Sequence, residues 1–411
     1  MLISLRDVVH NPECLKIAEN EVAFRTSLLR SVRQTSIANQ FARILRYEAP
    51  LTEYDFSYKN DASERYSDIT VNFAVVPNTK PSSNIHVLIG RNGVGKTTLL
   101  NNMVKALLPD PDVVNETGYF STVSPLGRTD LLDNDYFAGV VSISFSAFDP
   151  FTPPNDQPDP NVGMCYYYVG LKKRVSQQGL KDKDDLCRDF RISLKICFGL
   201  IAKKERWINA VRTLESDFNF AEMDLCELIN INNQDGLDEG AEILFQRMSS
   251  GHAIVLLTIT KLVETVEEKT LVLLDEPESH LHPPLLSAFT RALSDLLVDR
   301  NAVAIIATHS PVVLQEVPKS CVSILRRTGL IANVDRPENE TFAENVGVLT
   351  REIFGLEVSK SGFHSLLANS VSEGKSYEEI EQEYQNQLGF EGKTILRSMI
   401  MIRDSQLGAI K

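Results

Sequence analysis

At 411 residues the chain is long enough for two or three structural units around a sizeable core, and its 43% hydrophobic and 24% charged residues are the balance of a folded protein. A net charge of −13 argues against a chain that coats nucleic acid by electrostatics alone, although a local basic strip remains possible. No apolar run reaches the roughly 18 to 20 residues of a membrane-spanning helix, and the opening "MLISLRDVVHNPE" lacks a signal pattern, so a cytoplasmic location with no membrane partner is expected.

In chain order, residues 1–48 read as an N-terminal helical extension, with Leu15, Ile17, Ala18, Val22, Leu28, Leu29 and Val32 as an imperfect apolar stripe. Residues 49–150 form the first part of a core. Strand-like text runs from Tyr54 to Val76, and "IHVLIG" is a buried strand that stops at a glycine. "TTLLNNMVKALL" then reads as a helix, and Gly139 to Phe148 as the next strand. After the proline-rich linker "DPFTPPNDQPDPN", the stretch from Cys165 to Asn233 reads as helical, and residues 151–238 are taken as a mainly helical insertion.

The core resumes over 239–335. Here "LVLLDEPE" and "AVAIIATHSP" are short buried strands separated by the helix "PPLLSAFTRALSDLLVD". This alternation predicts an α/β fold with a parallel or mixed sheet covered on both faces. Residues 336–411 read as a helical tail, in which Ser376 and Glu379 fit a capping box. The six cysteines stand far apart without a C-x-x-C pair, so free thiols are expected.

Four motifs carry chemistry. Gly90-Arg91-Asn92-Gly93-Val94-Gly95-Lys96-Thr97, between a strand and a helix, has the pattern of a phosphate-binding loop. Its backbone N–H groups would curl around the polyphosphate of ATP, Lys96 would reach the β and γ phosphates, Thr97 would ligate Mg²⁺ and Thr98 would donate to the α phosphate. Asp275 and Glu276 end a buried strand, where Asp275 can hold the Mg²⁺ shell and Glu276 can orient or deprotonate an attacking water. Ser249, Ser250 and Gly251 stand at the start of a long helix, a second anion-binding position. His309 follows another strand and is a candidate to sense or polarise the γ phosphate.

The order and spacing of these motifs over Gly90 to Pro311 resemble the ABC-type ATPases, a P-loop NTPase fold, with "MSSGH" similar to a degenerate form of that family's L-S-G-G-Q signature. The resemblance implies a homodimer or higher oligomer in which Ser249, Ser250 and Gly251 of one subunit close over ATP held by Lys96 of another. It also implies that Glu276 is the catalytic carboxylate and His309 the switch histidine, and that "ESHLHPP" takes the place of the D-loop. His280 and His282 there read as structural or interface residues rather than metal ligands. No glutamine follows "SISFSAF", which leaves Ser146 or Asp149 for the residue coupling nucleotide to partner, and Tyr66 is the nearest aromatic for stacking on adenine.

Within the ABC-type ATPases, "GRNGVGKTTLL", "DEPESHLHP" and "ATHSP" look like the chromosome-maintenance, RecF and OLD branch. With the tail "ENVGVLTREIFGLEVSKSGFH", residues 50–411 resemble the PtuA-type ATPases of Septu and retron anti-phage systems. That resemblance implies a separately encoded nuclease partner, often of the HNH type, and contact with DNA or a retron RNA–DNA. Two other functions stay open: a RecF-like repair ATPase that clamps DNA, and a nucleotide-locked scaffold with slow turnover. A clamp predicts a basic strip, for which Leu171–Arg174, Lys203–Trp207 and Leu325–Arg327 are the candidates.

Overall fold

A computed structural model describes residues 6–29, 53–61, 68–108, 117–123, 128–133, 135–146, 149–174, 179–231, 233–358 and 362–408. The strands are β1 (Tyr54–Asn60), β2 (Ile69–Val75), β3 (Ile85–Gly90), β4 (Tyr119–Val123), β5 (Thr129–Leu131), β6 (Gly139–Ser144), β7 (Cys165–Gly170), β8 (Thr270–Asp275), β9 (Val303–Thr308), β10 (Val322–Thr328) and β11 (Ile331–Asp335). The longer helices of the first unit are α1 (Pro12–Ala18), α2 (Lys96–Leu107), α3 (Lys183–Phe198), α4 (Ile201–Leu214), α5 (Gln234–Arg247), α6 (Ser250–Thr265) and α7 (Pro283–Arg300).

The main sheet has the order β11-β10-β3-β9-β8-β6-β7 and is parallel except for the β10–β11 pair. Every residue of β3, β8 and β9 is buried, as a sheet covered on both faces requires. A second, antiparallel sheet of order β2-β1-β4-β5 packs its alternating aromatic face inward. Phe56 stacks on Phe73 at 5.1 Å between ring centroids and meets Phe137 edge-on, also at 5.1 Å. Leu99, Leu100, Met103 and Val104 of α2 join these rings and Leu88, Leu271 and Ile305 of the main sheet in one core. The helix that follows the phosphate loop is thus gripped between the two sheets.

On the other side lie α3 to α7. Thirteen of the sixteen residues of α6 are buried, so this helix is apolar all round and sits inside the layer. Phe190 of α3 stacks on Phe245 of α5 at 5.2 Å, and the buried Trp207 of α4 donates Nε1–H to Thr260 Oγ1 of α6 at 2.9 Å. Asp182 and Asp185 close α3 with a reciprocal capping box.

The stretch from Cys165 departs from the expected helix. "CYYYVG" is β7, paired in parallel with β6 at the sheet edge, because its tyrosines and valine suit a pleated, half-buried surface. The helical segment therefore starts at Lys183, and its helices pack on α6 and α7 as part of the same compact unit. Of the expected N-terminal extension, α1 is present with Asn11 as its cap, whereas residues 30–48 lie outside the described residues.

Asn345–Lys411 form a second compact unit, whose described residues hold the helices α8 (Val346–Val358), α9 (Phe363–Ser372), α10 (Tyr377–Glu383) and α11 (Phe390–Gly408). Val371, Ile380 and Leu396 are its core, and the Ser376–Glu379 capping box is formed in both directions. All six cysteines are thiols outside any disulfide, as expected. Among the described residues no helix is long and apolar enough to cross a membrane.

Candidate nucleotide site

Strand β3 delivers the chain into the loop Gly90–Gly95, and α2 begins at Lys96. Gly95 caps α2 at φ +101°, a left-handed conformation that a side chain would strain, which explains glycine there. Arg91, Asn92 and Gly93 are exposed, so the loop's N–H groups are open to a ligand at the positive end of a helix gripped by the core. Lys96 is buried and donates Nζ–H to the carbonyls of Gly90 at 3.0 Å and Arg91 at 3.1 Å. Burial pulls its pKa down, against the opposing pull of Glu276, Glu278 and Asp275.

Next to it Thr97 donates its hydroxyl to Asp275 Oδ1 at 3.2 Å. Burial, reinforced by the charges of Glu276 and Asp149 and opposed by Thr97 and Lys96, pushes Asp275 up to about 7. Adjacent oxygen ligands of octahedral Mg²⁺, at about 2.0–2.1 Å from the ion, stand roughly 2.9 Å apart, so this pair fits the ion with little adjustment.

Glu276 follows with φ +44°, an unusual left-handed backbone for a glutamate. Its N–H donates to the Ala307 carbonyl at 2.8 Å, which extends the β8–β9 pairing by one residue before the chain turns away. The carboxylate lies 3.8 Å from Lys96 Nζ and 3.6 Å from His309 Nδ1. Sequence reasoning missed Glu278. Partly buried, it accepts from Thr308 Oγ1 and from the His309 backbone N–H, both at 2.6 Å, and stands 3.0 Å from His309 Nδ1. The adjacent Glu278 carboxylate raises the pKa of His309 against partial burial.

Lys96, Thr97, Asp275, Glu276 and His309 thus meet at the C-terminal ends of β3, β8 and β9. A cleft on one side of α2 is lined by Thr97, Ser144, Asp149, Lys172 and Asp275, which brings Asp149 rather than Ser146 to the cation side. Lys172 pairs with Asp149 there. A second cleft, lined by Gly95, Thr98, Leu325, Arg327 and Leu330, also includes Asn60 and Ile69. Tyr66 lies outside the described residues.

Ser249 caps α6 and Ser250 is its first residue; both are exposed, and none of Ser249, Ser250 and Gly251 lines either cleft. Most cations of the basic runs are paired with acids from elsewhere in the chain. Lys172, Lys173 and Arg174 pair with Asp149, Asp185 and Asp156, Lys203 with Glu267, Arg206 with Asp299, and Arg326 with Asp335.

Comparison with known proteins agrees with this geometry in part. The chain is 48% identical over 420 residues to "Protein ea59" of Escherichia phage lambda, covering 98% of this chain and 79% of that protein. The chain belongs to the ea59 family. Residues 181–315 also match the family model "AAA domain, putative AbiEii toxin, Type IV TA system", a span that holds Ser249–Gly251, Asp275, Glu276 and His309. Similar solved structures include a nucleotide-free ATP-binding cassette from an ABC transporter, 13% identical at a TM-score of 0.36, covering 74% of this chain and 96% of that one. An ATP-binding cassette in its ADP conformation is 14% identical at a TM-score of 0.35, covering 70% and 93%. Scores this low add nothing to the fold traced above. This member of the ea59 family carries a phosphate-loop sequence on an α/β head.

Proposed function

We propose that the protein binds and hydrolyses ATP with Mg²⁺. The observation that carries this is the convergence of Lys96, the Thr97–Asp275 pair, Glu276 and His309 on one edge of the sheet. Lys96 would exchange its two carbonyl contacts for phosphate oxygens, and Thr97 and Asp275 would hold the cation. Mg²⁺, when bound, supplies charge neutralisation on the phosphates. Glu276, poised between Lys96 and His309, would orient the attacking water and accept its proton. His309, its pKa raised by Glu278, would stabilise charge on the γ phosphate.

The test is nucleotide binding and turnover by the full chain. Lys96→Ala must lose ATP binding, and tight ATP binding by that variant would sink the assignment.

The exposed Ser249 and Ser250 at the start of α6, away from both clefts, support a head-to-tail dimer in which each cap closes over the partner's ATP. A mixed dimer carrying Ser250→Ala in one subunit should then fail at the other subunit's nucleotide. Failure only at its own would contradict the sandwich.

For the biological role, the resemblance of the motifs and tail supports an ATPase subunit of an anti-phage complex that restrains a separately encoded nuclease, with DNA or a retron RNA–DNA as a further component. The paired basic runs weigh against a DNA clamp, since most cations of the candidate strips already face a carboxylate. Co-purification with the product of the adjacent gene tests this role: a stable nuclease complex supports it, and a lone chain that dimerises on ATP and binds duplex DNA replaces it with the repair clamp.

A further inference from the structure

Three segments far apart in sequence bring ligand-type side chains together beside the start of α6. Asp217 caps the five-residue helix Phe218–Glu222 that follows α4, His252 is the third residue of α6, and His282 caps α7. His252 Nε2 is 3.2 Å from Asp217 Oδ1, and His282 Nε2 is 3.4 Å from Asp217 Oδ2. One ligand atom from each of the three lies within 4.8 Å of the others. Donors on a tetrahedral zinc ion, with bonds of about 2.0–2.1 Å, stand roughly 3.3–3.4 Å apart; both contacts are of that order, and because they reach different oxygens of Asp217, a shared ion calls for that carboxylate to ligate through both oxygens or to turn one of them toward both imidazoles.

We propose that Asp217, His252 and His282 form a binding site for a divalent transition-metal ion, zinc foremost, separate from the Mg²⁺ of the nucleotide site. Two imidazoles and one carboxylate are a donor set suited to zinc and its neighbours rather than to Mg²⁺ or Ca²⁺, which take oxygen ligands. The outer contact that usually orients a ligating histidine is present: His252 Nδ1 lies 2.6 Å from Ser249 Oγ. With Nε2 on the metal, Nδ1 carries the proton and donates it to Ser249, which fixes that serine as the acceptor. Asp217 and His252 are buried while the His282 side chain is 46% exposed, so the ion has an entry path and room for a water as fourth ligand. Ligation by His282 Nε2 puts a proton on Nδ1 and gives up only the long 3.4 Å contact from the Leu285 N–H. His280, two residues earlier, points elsewhere, with Nε2 3.3 Å from the Phe145 carbonyl.

Bound metal would tie the helical layer, the serine cap of α6 and the loop after Glu276 into one unit. The inference does not depend on nucleotide binding. Its test is titration of untagged, chelator-stripped full-length protein with Zn²⁺ by calorimetry and with Co²⁺ by visible absorption. The expected result is one equivalent per chain, with the intense d–d bands of tetrahedral cobalt. His282→Ala, a change at a half-exposed position that the fold should survive, must weaken binding at least as much as loss of an outer contact does, about 10–100-fold. His280→Ala should bind like the parent. Absence of a stoichiometric metal in the parent protein, undiminished binding by His282→Ala, or an equal loss in His280→Ala would each overturn the site.

Discussion

Gly251 lies against the carbonyl oxygen of His280 so closely that a Cβ on this glycine would come within 2.4 Å of it. The start of α6 and the loop after Asp275 and Glu276 are therefore in backbone contact, and what moves one moves the other. Gly251→Ala forces a backbone shift, not a side-chain adjustment. The expected cost is about 1–3 kcal/mol of stability, with ATP turnover reduced more than the stability loss explains. Urea unfolding beside an ATPase assay checks it, and a variant as stable and active as the parent would show that the two segments are not coupled.

Glu276→Gln keeps the shape of the side chain but removes its capacity to take a proton. ATP binding should persist, because Lys96, Thr97 and Asp275 are untouched, while turnover falls by about 10²–10⁴-fold. Sedimentation with ATP should then show an accumulated dimer. Equal loss of binding and turnover would place Glu276 in nucleotide binding instead.

The Glu278–His309 pair predicts a pH dependence. The pKa of His309 lies above its ordinary 6.5. The stability it contributes is therefore complete below about 6.5 and lost as pH rises through the folded value. If the imidazolium is the active form, turnover falls on that same alkaline limb. Glu278→Gln should shift the limb to lower pH, towards the unperturbed imidazole, and His309→Gln should abolish it. A limb that stays in place in Glu278→Gln would assign it to another group.

The phosphate loop, the adjacent acids and His309 were legible because each stands where an apolar strand ends, and the buried strands β3, β8 and β9 read as uninterrupted apolar runs. The antiparallel sheet was half-legible. β1 and β2 showed their aromatic and β-branched residues, whereas β4 and β5 are short: β4 takes its place from pairing with the distant β1, and β5 adds on to β4. Glu278 and Asp217 were missed for a related reason. A loop glutamate and a helix-capping aspartate look ordinary until tertiary packing sets His309 and His252 beside them. Tyrosine-rich β7 was passed over because its neighbours downstream are helical, and only the free edge of β6 decides its state.

The sole tryptophan, Trp207, tests whether the helical layer is part of the ATPase core or an appended module. Its ring is fully buried against α6, and its N–H goes to a threonine hydroxyl that itself donates to the Leu256 carbonyl at 2.7 Å. Trp207→Phe keeps most of the bulk and loses that one hydrogen bond, for about 1 kcal/mol. Trp207→Ala opens a large cavity beside α6 and should cost about 3–5 kcal/mol. In the parent protein, tryptophan fluorescence reports this layer alone, and circular dichroism reports the whole chain. If the layer belongs to the core, urea transitions by fluorescence and the major transition by circular dichroism should coincide. An early fluorescence transition, with the sheet still folded, would make the helices a separable module.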